Sequence, residues 1–138
     1  MTSLVRDERT ALEDLLESCY GAIYAYGIVA AYLIEPDEAL NAMASFRKQR
    51  DQILATIDEL GYAAPPARAA YSLTTQVTND ASARVAAFLL EENIVAHWAN
   101  AIFYLPIQIK QRECEFLQSS AIRSFKWAGI AIAFSSAQ

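Results

Sequence analysis

The run from Cys19 to Ile34, CYGAIYAYGIVAAYLI, contains no acid, lysine, arginine or histidine, and it lies in the longest stretch of the chain without one. A helix that is apolar on nearly every side must be covered on most of them, so the remainder of the chain has to be arranged around this stretch. About sixteen residues are too few to cross a bilayer, which takes roughly 20. Tyr20, Tyr24, Tyr26 and Tyr32 also need hydrogen-bond partners when buried, which suits a protein interior better than lipid. Small residues between the rings (Gly21, Ala22, Ala25, Gly27) let neighbouring backbones approach closely.

Apolar residues at Leu12, Leu15, Leu16, Cys19, Ile23, Tyr26, Val29 and Leu33 keep the three-and-four spacing of one helical face, and predict a first helix over about residues 4–34. Its amino-terminal half is polar on the other face. Pro36 disfavours helix at Glu35 and suits the first turn of the next helix, where the neighbouring acids favour the dipole. A second helix, about 37–60, carries Leu40, Met43, Phe46, Ile53, Leu54 and Ile57 on its face and stops at Gly61. The short connection makes it antiparallel to the first.

Residues 61–78, with a double proline and no sustained period, read as an ordered crossover held by Tyr71, Leu73 and Val77. A loop this long needs a structural reason, and running the height of a bundle is one. A third helix, about 80–104, follows the caps offered by Thr78-Asn79-Asp80, with Val85, Phe88, Leu89, Val95, Ala96, Trp98, Ile102 and Phe103 inward. After Pro106 a fourth helix, about 108–133, has Phe116, Leu117, Ala121, Phe125, Ala128 and Ile132 on one side. The apolar tail from Trp127 to Phe134 is expected to be covered by the crossover or by a second subunit. Two helical hairpins joined by one long crossover predict an all-α, ferritin-like four-helix bundle, a single domain.

The chain of 138 residues has a net charge of -5 and a pI near 4.8. Phosphate neutralisation needs a clustered basic surface, and the one basic cluster, Arg47-Lys48-Gln49-Arg50, runs straight into Asp51, so no nucleic-acid partner is expected. Cys19 and Cys114 are isolated, which gives no zinc or disulfide framework. The N-terminus lacks the apolar core of a signal peptide. A cytoplasmic protein is expected.

Arg50 falls on or beside the apolar face of the second helix, where a guanidinium needs a carboxylate, and Glu17 and Glu91 are the candidates for a core ion pair. A di-metal bundle requires Glu-x-x-His on two helices; the chain has none, and no acid stands at ligand spacing from its sole histidine, His97. Glu17, Glu91 and Glu92 are the only set that suggests an oxygen-only cation site, and the plainer reading of each is a salt bridge or a solvated side chain. Tyr20, Tyr24, Tyr26 and Trp98 are candidates for lining an apolar ligand cavity, although aromatics at helical spacing more often form core. Neither cysteine has a cationic partner that would activate it. Hydrolase elbows and phosphate loops are missing. No catalytic residue, metal ligand or cofactor is assigned.

The segments LLESCYGAIYAYG, FRKQRDQIL, GYAAPPARAAYSL with VTNDASAR, and AIRSFKW together resemble an actinobacterial ferritin-like family of unknown function. The resemblance implies a ferritin fold with no established reaction. Similar sequences carry a Glu-His pair where this chain has Cys19 and Tyr20, and a histidine where it has Phe46, which speaks against a metal site. The sequence therefore leads to a catalytically silent homodimeric structural or binding module, with the apolar tail and part of the tyrosine-rich helix at or near the interface. A metal-dependent oxidoreductase and a carrier of a small hydrophobic ligand are the alternatives.

Overall fold

The computed structural model describes the backbone of residues 2–73 and 75–136, and side chains over 8–73 and 75–129. All secondary structure among the described residues is helical: α1 (Thr2–Tyr32), α2 (Asp37–Glu59), α3 (Asp80–Ala101), a short 3-10 turn (Ile102–Tyr104) and α4 (Ile107–Ser136). α1 packs on α2 and on α3, and α3 packs on α4. α2 and α4 meet through side chains across the centre.

Local chemistry sets the ends. Asp37 and Glu38 occupy the first turn of α2, where their charge complements the helix dipole. Gly61, at φ 80°, closes its other end: its N–H reaches Asp58 O at 3.0 Å, and the Tyr62 N–H reaches Ile57 O at 3.1 Å. That pair of bonds is a Schellman motif, which favours glycine because a Cβ is strained at positive φ. Asn79 and Ser82 cap α3 reciprocally: Asn79 Oδ1 accepts from the Ser82 N–H at 2.8 Å, and Ser82 Oγ accepts from the Asn79 N–H at 3.0 Å. The Ile34 N–H donates to Asp80 Oδ1 at 2.8 Å and ties the end of the first hairpin's leading helix to the start of the second hairpin.

The charge-free half of α1 is covered as expected, with Cys19, Ala22, Tyr26 and Val29 fully buried. Inward faces of α3 and α4 differ from the apolar pattern. On α3, Ala83, Ala87, Ile94, Trp98 and Ala101 are buried, whereas Val85 and Ala96, and Phe103 of the 3-10 turn, face outward. On α4 the buried stripe is Ile109, Glu113, Phe116, Ser120, Ser124 and Trp127; Ala121 and Phe125 face outward. Half of that stripe is polar, which is why apolar periodicity found Phe116 and Leu117, which pack in the core, but grouped exposed Ala121 and Phe125 with them. Trp127 is buried in the bundle itself, and the expectation for the tail from residue 130 onward lies outside the described side chains.

Candidate functional site: a tyrosine groove beside a buried polar centre

The crossover lies along α1 and makes a hollow on each side of itself. Its outer edge and α1 enclose an open groove of about 850 Å3, lined by Tyr24, Gly27, Ile28, Ala31 and Tyr32 from the helix and by Tyr71, Leu73, Thr75, Gln76 and Val77 from the crossover. Helical spacing places Tyr24, Ile28, Ala31 and Tyr32 on one side of α1. Tyr71 meets Tyr24 with ring centroids 6.0 Å apart, and its hydroxyl accepts from the Arg68 N–H at 2.9 Å. Nothing lies within 4 Å of the point where a Cβ on Gly27 would stand, so the floor of the groove is open there. The lining has no charged side chain.

Beneath the strap, between α1 and α3, lies a smaller cavity of about 200 Å3 lined by Gly21, Ala22, Ala25, Ala86, Leu90 and Ile94 among others. Small side chains leave this space, and Tyr71 and Leu73 border both hollows. The strap is therefore the partition between them.

Of the four cavity candidates read from sequence, only Tyr24 lines the groove. Tyr26 and Trp98 are fully buried in the core. Tyr20 packs partly buried against that core, where burial raises its phenol above the ordinary value and nearby Arg50 opposes the rise. The reason is angular: Tyr26 stands two residues beyond Tyr24 and so points to another side of the same helix.

Nor are Arg50, Glu17 and Glu91 brought together. Arg50 pairs with its neighbour Asp51 at 3.0 Å, and Glu17 pairs across the surface with Arg68 of the crossover at 3.2 Å. Glu91 takes Arg123 instead, Nε to Oε2 at 2.8 Å. Glu92 is exposed and accepts from Ser124 Oγ at 2.9 Å. α4 supplies these partners because it packs beside α3.

Around Glu91 the centre is densely bonded. Ser120 Oγ donates to Oε1 at 3.3 Å, and Tyr26 hydrogen-bonds the same carboxylate. The Trp127 indole N–H donates to the Tyr26 hydroxyl oxygen at 3.1 Å, which leaves the phenol proton for Glu91. Burial raises the Glu91 pKa above its ordinary value of 4.5, and Arg123 opposes that rise without cancelling it. The Arg123 guanidinium also lies 5.1 Å from the Phe46 ring centroid and 5.5 Å from that of Phe116, where the ring faces attract a cation.

A second layer surrounds Glu113, a fully buried acid that apolar patterning passed over. Gln49 Nε2 and the Trp98 indole N–H both donate to its Oε1, the latter at 3.1 Å, and Arg112 Nε donates to Oε2 at 2.8 Å. Arg112 also reaches Thr56 Oγ1 of α2 at 3.2 Å. The available sequence signal was the single helical stripe of Glu113, Phe116 and Ser120, with an arginine beside the acid. Cys19 faces this layer: burial first, then the Glu113 charge, push its thiol well above the ordinary range, and Arg50 opposes them. Cys114 is exposed. His97 is exposed and borders a separate surface hollow of about 430 Å3. Among the described residues no three His, Cys, Asp or Glu side chains converge as metal ligands.

Fold and centre together define an all-helical bundle protein whose core acids are held by its own arginines and indole. The chain belongs to the family described as a domain of unknown function (DUF4439), whose model matches residues 11–135. It is similar to a conserved hypothetical protein, rv2844, from Mycobacterium tuberculosis: the crystal structure superposes with a TM-score of 0.90, at 26% identity over 94% of each chain. No curated protein matches it. No described helix is long and apolar enough to cross a membrane.

Proposed function

We propose that this chain is a ferritin-like bundle acting as a binding module, and that the groove between α1 and the crossover holds a small, uncharged molecule with an aromatic or flat apolar body. One observation carries the reading: Tyr24, Tyr32 and Tyr71 line an open groove of about 850 Å3 with no charged side chain in its lining. Ring faces contribute apolar area and the phenols contribute hydrogen bonds, and the volume lies in the range of small-molecule sites. Two hairpins joined by a long crossover support the ferritin-like description. Free thiols on Cys19 and Cys114 support a reducing, cytoplasmic setting.

A di-metal oxidoreductase has less support. Both central carboxylates, Glu91 and Glu113, are taken by arginines. α4 presents Glu113-x-x-Phe116, with a phenylalanine where a di-metal bundle needs histidine.

Fluorescence titration with N-phenyl-1-naphthylamine, a neutral aromatic probe, tests the groove. Wild type is expected to give a saturable rise that Gly27→Leu abolishes, because the leucine fills the floor. No saturable rise, or an equal rise in folded G27L, overturns the proposal. Elemental analysis of the same protein preparation tests the metal reading separately.

A further inference from the structure

The outer faces of α3 and α4 carry a second periodic stripe that the monomer does not use. On α3 and the 3-10 turn that continues it, residues Val85, Leu89, Glu92, Ala96, Ala99 and Phe103 follow one another at intervals of four and three; on α4, Ile107, Gln111, Cys114, Gln118, Ala121 and Phe125 do the same. That alternation places each set along one side of its helix and is the spacing by which helices interlock. All twelve are exposed apart from half-buried Leu89. Phe103 is 85% exposed, Phe125 82%, Ile107 79%, Ile122 60% and Val85 42%.

Charge separates this face from the rest of the surface. The outward side of α2 carries Arg47, Lys48, Asp51, Asp58 and Glu59, all exposed, as a solvated helix does. The α4 stripe itself has no charge, with Glu115 beside it accepting from Gln111 at 3.4 Å, and the acid of the α3 stripe, Glu92, accepts a hydrogen bond from Ser124. In a chain of net charge -5, a face whose two exposed acids, Glu92 and Glu115, each already accept a hydrogen bond meets less repulsion from a second copy than the more acidic surface of α2 would.

From these observations we infer that α3 and α4 form a two-fold homodimer face, on which the same two helices of a second copy pack. At about 200 Å2 for a ring side chain and less for an aliphatic one, the five large exposed side chains present roughly 600 Å2. That equals the largest apolar patch usual on a monomer. The uncharged small and amide side chains between them bring the area toward the ~800 Å2 per partner of a stable interface. A mostly apolar face with two acids offers little to select a highly charged partner, whereas two like faces with regular stripes match each other about a two-fold axis. The interface expected from sequence lay at the tail and the tyrosine-rich helix; the tail from residue 130 lies outside the described side chains, Tyr32 and Ile34 at the end of that helix are exposed, and the larger group of exposed apolar side chains lies on the second hairpin. The inference is independent of the ligand groove.

Light scattering on the full chain at micromolar concentration is expected to give twice 15.3 kDa. Phe103→Glu and Phe125→Glu each place a charge in the contact and are expected to weaken the dimer at least tenfold. Gln118→Glu, which removes no apolar surface, is expected to weaken it likewise and serves should a phenylalanine variant fail to fold. Lys48→Glu on the solvated face leaves the mass unchanged. A monomeric wild type overturns the inference, as does a folded F103E, F125E or Q118E that dimerises like wild type. So does a monomer that co-floats with phosphatidylcholine–phosphatidylglycerol vesicles, which would assign the face to a membrane surface.

Discussion

Arg123 of α4 lies between an acid and two rings: its Nε donates to Glu91 Oε2 at 2.8 Å while its guanidinium faces Phe46 and Phe116. Breaking a buried pair by removing one partner leaves a charge with no compensation, at a cost of about 3–5 kcal/mol. Arg123→Met is therefore expected to lower unfolding free energy at neutral pH by about that amount, read by denaturant titration with an unchanged m-value.

Glu91 sets a pH dependence whose sign follows from linkage. Its pKa is raised in the folded protein above the ordinary 4.5, so between those two values the folded state binds more protons than the unfolded one. Stability from this group is fully present below the unfolded pKa and is lost as pH rises through the folded pKa. Compared with Glu91→Gln, wild type should thus lose melting temperature as pH is raised from the ordinary carboxylate range. Parallel melting curves across that range would contradict the assignment.

The two thiols should separate by reactivity. Cys114 is exposed, whereas Cys19 is buried with its thiol pushed up, and only the thiolate attacks a disulfide reagent. One thiol is expected to react promptly in native protein and the second only on unfolding, with Cys114→Ser removing the prompt phase.

Asn79 and Ser82 make a reciprocal cap where the crossover turns into α3. Asn79→Ala should cost about 1 kcal/mol of stability, the usual loss on removing such a cap. Differential scanning calorimetry checks it.

Much of the architecture was legible because helix ends are written locally. Pro36, Gly61 and Asn79 each mark a boundary by their own backbone chemistry, and the structure places α2 and α3 within a few residues of where those signals stand. The centre was not legible, because its inward positions on α4 include Glu113, Ser120 and Ser124, and an apolar period cannot see polar groups that are buried in pairs. Arg50 was the cation nearest an apolar face in the sequence, yet Arg112 and Arg123 reach the buried acids because α4 runs beside α3. Which helices are neighbours is a tertiary fact that no single helix encodes. Tyr24 stands on the first helix in a regular pattern, but Tyr71, the ring it meets across the groove, comes from a segment without periodicity.

Glu91 with Ser120 and Arg123, Glu92 with Ser124, and Trp98 with Glu113 are four contacts that all connect α3 to α4 at one relative height. Sliding either rod past the other by one turn, about 5.4 Å, would part Glu91 from Ser120 and Arg123 and take the Trp98 indole from Glu113, leaving a buried acid and a buried N–H without partners. Alanine and leucine alone tolerate several such offsets, so the polar centre works as a detent: it selects one axial setting of the second hairpin and denies the chain its near-degenerate alternatives.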